Sequence, residues 1–215
     1  MSDSDFEEVI FNSSGLFVFA FASETWNFEW GNFLSSIGVS HALFKDRFDL
    51  WYRDGVYGFG DAAALVGYMK SKRKSFGPMI TLGLSKGSWA ALKFGKLAEV
   101  DRVIAISVNS GCGKSLDEFP PRWHHRLEYS ELSADLKPLY EVGKNPYVHA
   151  YVSDGNGLPT EAPEIDRIMA QRINADKITF IPGYTHGGEN NLARGIRNNG
   201  ILKQEILELC KRRTS

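Results

Sequence analysis

Residues 79–95 read MITLGLSKGSWAALKFG, a short apolar run followed by a glycine-flanked serine and then a helical pattern. The run Met79–Leu82 predicts a buried strand, and the small and apolar residues after Gly87 predict a helix. A G-x-S-x-G turn between a strand and a helix predicts a nucleophile elbow, in which Ser85 is strained and its hydroxyl is exposed. Side chains at Gly83 and Gly87 would collide across so tight a turn. The helix N-terminus beside Ser85 would favour developing negative charge.

Strand and helix patterns alternate on both sides of this stretch. Gly15–Ala22 is apolar at odd and even positions alike, which is typical of a strand covered by helices on both faces. The alternation predicts an α/β fold, a doubly wound and mostly parallel sheet within a single domain over residues 1–215. The other predicted strands are His41–Phe44, Val103–Val108, Tyr147–Val152 and Lys177–Ile181. The other predicted helices cover Trp30–Ile37, the segment capped by Asp61, Glu164–Ile173 and Asn190–Lys211, the last with a break near Gly200.

The segment 109–146 interrupts the alternation with glycines and prolines. We interpret it as a short cap-like insertion, placed before the penultimate strand and over the carboxyl ends of the strands. It carries the run Arg122–Arg126, which contains His124 and His125 and is a candidate contact for an anionic substrate. A solvated helix face is the alternative interpretation of this run.

Ser85, Asp154 and His186 each follow a predicted strand, in the order serine, acid, histidine. Because parallel sheets place their sites at the carboxyl ends of strands, we expect these side chains to lie close together. A serine hydroxyl needs an adjacent base, histidine titrates near neutrality, and a carboxylate would orient the imidazole. Asp166 and Asp176 are poorer acids, since one lies in a helical pattern and the other precedes a strand.

Three motifs resemble those of the α/β-hydrolase superfamily over the chain from Gly15 onward: GLSKG at the turn, SDGN from Ser153 and THGG from Thr185. The resemblance implies a reduced form of that fold, with Ser85 as nucleophile, His186 as general base and Asp154 as the orienting acid. It also implies backbone oxyanion donors at Ser23 and Lys86. The chain departs from the family in that Phe21-Ala22 replaces a common H-G pair, and little room precedes Gly15 for the fold's first two strands.

A narrower likeness links Pro121-Arg122-Trp123, SDGN, H-G and NNGIL (198–202) to small esterase-like hydrolases. Some of these accompany genes for polysaccharide biosynthesis, so the likeness implies acyl chemistry on a small or glycan-linked ester. The candidate substrate-binding residues are Trp51, Arg53, Arg122 and His124.

Two rival interpretations stay open. Val108–Ser115, VNSGCGKS, ends like a phosphate-binding Walker A loop, but Val108 stands where the first glycine is required, and Pro120 and Pro121 interrupt the following helix. We therefore expect no ATP binding there. The other rival is a catalytically inactive hydrolase fold that serves as an interaction module.

Composition narrows the possible partners. The 215 residues carry a formal net charge of −1 and no basic stripe, so we expect neither nucleic acid nor membrane insertion. The acidic start lacks the basic residues of a secretory signal, and we expect a cytoplasmic protein. Cys112 and Cys210 are expected to be free thiols. No cofactor or metal is implied, and the oligomeric state is left open.

Overall fold

A computed structural model describes residues 4–11, 15–23, 26–111, 134–154, 162–184 and 191–211. Its centre is a seven-stranded sheet in the order β1-β3-β2-β4-β5-β6-β7, in which β1 runs antiparallel to β3 and all other pairs are parallel. This sheet confirms the predicted α/β class. The strands are β1 Phe6–Val9, β2 Phe17–Phe21, β3 Ser40–Phe44, β4 Met79–Leu84, β5 Arg102–Ile106, β6 Tyr147–Ser153 and β7 Lys177–Ile181.

Helices cover both faces of the sheet, as the doubly wound prediction requires. The helices α2, α3, α4 and α5 pack on one face, and α1, α6 and α7 pack on the other. No helix within the described residues is long and apolar enough to cross a bilayer. The helices are α1 Gly31–Ser36, α2 Ala62–Lys72, α3 Lys86–Leu97, α4 Lys137–Tyr140, α5 Ala162–Arg172, α6 Leu192–Asn198 and α7 Ile201–Lys211.

The central strand β2 shows why its sequence is apolar at every position. Phe17, Phe19 and Phe21 enter the core beneath α2 and α3, whereas Val18 and Ala20 enter the core on the opposite face. Successive side chains of a strand point to opposite faces, so a strand between two helical layers needs apolar residues at both parities.

The strand β1 was not predicted, because its sequence, FEEV, has no apolar run. It occupies the sheet edge, where it is held by its neighbours. The buried Asp5 just before it accepts hydrogen bonds from the backbone N–H and the Nε of Arg47, at 3.2 and 2.8 Å. One antiparallel strand therefore does fit before Gly15.

Residues 134–146, the described last part of the 109–146 segment, start beside Trp89 and Ser110 and run along α3 toward its C-terminal end. The Tyr140 hydroxyl donates to the Leu92 carbonyl, and Lys96 Nζ donates to the carbonyls of Val142 and Lys144. These contacts carry the chain from the carboxyl edge back to the amino end of β6. The cap-like placement of the insertion stays a prediction, because residues 112–133, with Arg122 and His124, lie outside the described residues.

A buried polar cluster attaches α7 to β5 and β6 of the sheet. Glu205 of α7 accepts hydrogen bonds from His149 Nδ1 at 2.7 Å, from the Tyr151 hydroxyl at 2.5 Å and from Arg102 Nη1 at 3.0 Å. Because the carboxylate only accepts, His149 Nδ1 carries a proton. In the neutral ring Nε2 can then accept from the Thr179 hydroxyl, 2.8 Å away.

We expect Glu205→Gln to lower the free energy of unfolding at pH 7 by about 2–3 kcal/mol, since it removes a buried charge from three donors. Burial alone would raise the pKa of Glu205, but His149, Tyr151 and Arg102 together lower it below the ordinary 4.5. The stabilisation is therefore complete above that value and is lost as the pH falls through the lowered pKa.

Urea unfolding of the wild type and the variant, at pH 7 and again below pH 4, checks this prediction. The difference between them should shrink at the lower pH. Glu208→Gln, an exposed change on the same helix, is the control and should alter little. Equal stability of wild type and Glu205→Gln at pH 7 would contradict the prediction.

Candidate active site

Ser85 lies where β4 passes into α3, in a conformation that few residues adopt. Its φ is 51° and its ψ is −116°, a region that costs free energy for any residue with a side chain. Two backbone hydrogen bonds hold this conformation. The Ser85 N–H donates to the Ile106 carbonyl at 2.9 Å, and the Ser85 carbonyl accepts from the Ser88 N–H at 2.9 Å. The strained strand-to-helix turn predicted from GLSKG is thus present.

Both glycines of the motif are required by close backbone contacts. A Cβ on Gly83 would lie 2.0 Å from the carbonyl oxygen of Gly87, across the turn. A Cβ on Gly87 would lie 2.2 Å from the carbonyl oxygen of Phe21, which ends β2. The first turn of α3 therefore packs directly against the chain that leaves β2, where one oxyanion donor was predicted.

Asp154 lies on the same edge of the sheet as Ser85. It directly follows β6, and its backbone N–H donates to the Ile181 carbonyl at 3.3 Å, which anchors it to β7. Only β5 separates β6 from β4, so the two residues are roughly 10 Å apart across the sheet. An imidazole from the chain after β7 could bridge that span.

His186 lies outside the described residues, so the triad of Ser85, Asp154 and His186 stays a prediction. The rival acid Asp176 accepts from the backbone N–H of Val148 at 2.7 Å, at the amino end of β6 and away from Ser85. Asp166 is buried within α5.

The predicted oxyanion donor Ser23 has a close acidic partner. Its backbone N–H donates to Glu29 Oε2 at 2.7 Å, and its hydroxyl donates to Glu29 Oε1 at 2.5 Å. The Ala22 carbonyl, in the peptide that carries this N–H, accepts from the buried Tyr52 hydroxyl at 2.8 Å. Sequence patterns carried no signal for the roles of Glu29 and Tyr52. Glu29 contacts Ser23 through the folding of the loop after β2, and Tyr52 contacts Ala22 from the loop after β3.

The other predicted donor, Lys86, is the first residue of α3, and its side chain is buried. Its Nζ lies 2.7 Å from Asp49 Oδ1 and 3.6 Å from Asp46 Oδ2. Asp46 Oδ2 also accepts from the Tyr52 backbone N–H at 3.3 Å. The loop after β3 is therefore tied both to the residue that follows Ser85 and to the peptide of Ala22 and Ser23.

The predicted substrate-binding residues lie in this loop or outside the described chain. Trp51 is half-buried and packs against the core beneath α3. Arg53 is exposed and pairs with its neighbour Asp54 at 2.9 Å. Their role in binding, like that of Arg122 and His124, stays a prediction.

The described residues contain no group of three or more His, Cys, Asp or Glu side chains that could hold a metal ion. Cys210 on α7 is a free thiol whose pKa is raised by burial. Cys112 and the glycine, lysine and serine of the Walker-like segment at 113–115 fall outside the described part of the chain.

Solved structures with the same architecture include enzymes of acyl chemistry. No family model matches the sequence, and no curated protein matches it either. The capsule O-acetyltransferase of Neisseria meningitidis serogroup A superposes with a TM-score of 0.62 at 14% identity, over 94% of this chain and 90% of that one. Mycobacterium tuberculosis MPT51 (FbpC1) superposes with a TM-score of 0.59 at 12% identity, over 97% and 94%.

Est1E from Butyrivibrio proteoclasticus, solved with bound ferulic acid, is similar with a TM-score of 0.56 at 13% identity, over 95% of this chain and 96% of that one. At such identities the likeness speaks for the fold. The sheet order, the strained turn at Ser85 and these superpositions together show that the chain has an α/β-hydrolase fold.

Proposed function

We propose that this protein is a serine acyl hydrolase or acyltransferase that moves an acyl group from an ester to water or to another hydroxyl. The observation that carries the proposal is the strained conformation of Ser85 between β4 and α3. Strain of this kind costs about 1–3 kcal/mol and collects at functional sites, whereas a simple connecting turn has no need of it. The α/β-hydrolase fold shared with an O-acetyltransferase supports the same chemistry.

In the proposed reaction the Ser85 hydroxyl oxygen bonds to the ester carbonyl carbon while its proton passes to His186. The backbone N–H groups of Ser23 and Lys86 stabilise the oxyanion that forms. The C–O bond to the alcohol then breaks, and the alcohol leaves with the proton from His186. Water or an acceptor hydroxyl repeats these steps on the acyl-enzyme and restores Ser85. Asp154 keeps the imidazole in the required tautomer.

A fluorophosphonate probe followed by peptide mass spectrometry tests this function most directly. The probe reacts with activated serines, so the expected adduct lies on the peptide that contains Ser85, and prior unfolding of the protein should abolish it. A folded protein that takes no label would refute the proposal and would favour the inactive interaction module.

We further propose that the acyl group or its acceptor is carried on a glycan. Three exposed rings, which we call the aromatic platform, flank the loops that follow β2 and β3: Trp26, Phe48 and Tyr57 are 75%, 60% and 46% exposed. Lys45 Nζ donates to the backbone carbonyl of Trp26 at 3.3 Å. The ring centroids of Phe48 and Tyr57 are 5.3 Å apart, and the guanidinium carbon of Arg47 lies 4.4 Å from the Tyr57 ring centroid. Exposed rings at a water-facing edge suit the C–H faces of sugars.

Trp26→Ala is expected to raise KM about five- to tenfold for an acetylated oligosaccharide, because a stacking surface worth about 1 kcal/mol is lost. The KM for p-nitrophenyl acetate, which is too small to reach the platform, should not change. Steady-state kinetics on both substrates measures the difference between the two changes in KM. Phe180→Ala removes an exposed ring from β7 on the far side of the sheet and serves as the control. Equal changes on both substrates would contradict the glycan assignment.

A further inference from the structure

The peptide between Ala22 and Ser23 is held at both of its polar ends. Tyr52 donates to its carbonyl oxygen at 2.8 Å, and its N–H donates to Glu29 Oε2 at 2.7 Å. The carbonyl and N–H of a trans peptide point in opposite directions, so these two contacts set the orientation of the whole peptide plane.

This peptide lies against the start of α3. A Cβ added to Gly87 would lie 2.2 Å from the Phe21 carbonyl oxygen and 3.1 Å from the Ala22 carbonyl carbon. The loop and the turn at Ser85 are therefore in direct backbone contact, with no side chain between them. The peptide is thus where the fold can supply an oxyanion donor from the chain after β2. An N–H has a single hydrogen, and in this structure that hydrogen is directed at a carboxylate.

We propose that Glu29 is a latch that holds the Ser23 N–H in the resting protein and is displaced when the acyl oxygen of a substrate enters the oxyanion hole. The inference rests on the proposed acyl transfer at Ser85. A carboxylate cannot share this N–H with an oxyanion, because both are acceptors and two negative charges at one donor repel. Glu29 in this role is a positioning residue.

The two holding groups differ in how readily they can move. Tyr52 is fully buried, and burial, with the nearby carboxylates of Asp46 and Glu29, raises its pKa well above the ordinary range, so the phenol keeps the proton that it donates. Glu29 is half-buried, and its flexible side chain accepts hydrogen bonds from both the N–H and the hydroxyl of Ser23. Tyr52 thus keeps the peptide in place while the carboxylate is exchanged for the substrate oxygen.

Glu29→Gln tests the latch, because the amide has the same shape but binds the N–H without a charge. We expect KM for p-nitrophenyl acetate to fall about tenfold with kcat nearly unchanged, since a charge-assisted hydrogen bond no longer competes with the substrate. The second-order rate constant of fluorophosphonate labelling should rise by a similar factor, because the phosphoryl oxygen of the probe enters the same hole. Ser23→Ala keeps the N–H but removes the hydrogen bond from the Ser23 hydroxyl to Glu29. It should lower KM and raise the labelling rate constant in the same direction, by about threefold.

Glu99→Gln is the matched control, because it makes the same chemical change at a side chain that is 78% exposed and pairs with Lys70. Its kinetics should equal those of the wild type. A fall in kcat at constant KM in Glu29→Gln would mean that the carboxylate supports the working geometry, and unchanged kinetics would mean that it does not hold the N–H; either result overturns the latch. Should Glu29→Gln fail to fold, Ser23→Ala alone decides by the same criteria. Absence of wild-type labelling at Ser85 would instead refute the acyl transfer itself, and the latch with it.

Discussion

Replacing Ser85 with alanine is expected to lower kcat for activated esters by about 10⁶-fold, the loss seen when the nucleophile of a comparable triad is removed. The alanine keeps the Cβ and therefore the same backbone strain at a φ of 51°, so the fold and its stability should stay close to those of the wild type. Turnover of p-nitrophenyl acetate, with circular dichroism on the same samples, measures both.

Two further variants sharpen this test. Ser71→Ala removes a hydroxyl from the exposed face of α2 and should leave turnover intact. Ser85→Gly should be as inactive as Ser85→Ala but more stable by about 1 kcal/mol, because glycine adopts this conformation without strain. Undiminished turnover in a folded Ser85→Ala protein would remove Ser85 as the nucleophile.

Asp154→Asn is expected to lower turnover by about 10⁴-fold while the protein stays folded. The asparagine fills the same space after β6 but offers the imidazole an amide in place of a carboxylate, so the tautomer and the charge of the base are no longer supported. The backbone anchor of this residue, its N–H on the Ile181 carbonyl, does not involve the side chain.

Asp176→Asn is the matched control for this acid. Its oxygen accepts from the Val148 N–H at the amino end of β6, and an amide oxygen can accept there too, so turnover should change little. Asp166→Asn, within α5, should also leave turnover nearly unchanged. Near-normal activity of Asp154→Asn, or a large loss in either of the other two, would mean that the acid of the triad has been misassigned.

The contact between Glu29 and Ser23 bears on the weakest match to the hydrolase pattern, where Phe21-Ala22 replaces the common H-G pair. Phe21 is fully buried in the core beneath α3, so it leaves no polar side chain at that position to order the loop. In this protein Tyr52 and Glu29 hold the loop instead, one at each end of the same peptide. Where the sequence lacks the common H-G pair, hydrogen bonds from Tyr52 and to Glu29 therefore hold the peptide of the candidate oxyanion donor.

The sequence by itself determined most of the strands and helices and their alternation along the chain, but not the order of the strands in the sheet. Apolar runs such as Phe17–Phe21 and Met79–Leu84 show a strand covered on both faces, and Asp61 shows a helix start, because these signals depend on residues close together in the chain. The strained turn at Ser85 was also predictable, since a G-x-S-x-G turn between a strand and a helix has few solutions. The position of Asp154 after its strand followed from the same alternation.

Only the tertiary structure decided what depends on distant partners. The edge strand β1 has no apolar run and exists because β3 and Arg47 hold it. Tyr52 acquires its role through a contact between two loops, and Glu29 through the way the loop after β2 folds on itself. Glu205 acquires its role through contacts across 54–103 residues of chain. A local pattern reports which face of an element is buried, but a polar side chain meets its partner only where the fold brings two separate segments together.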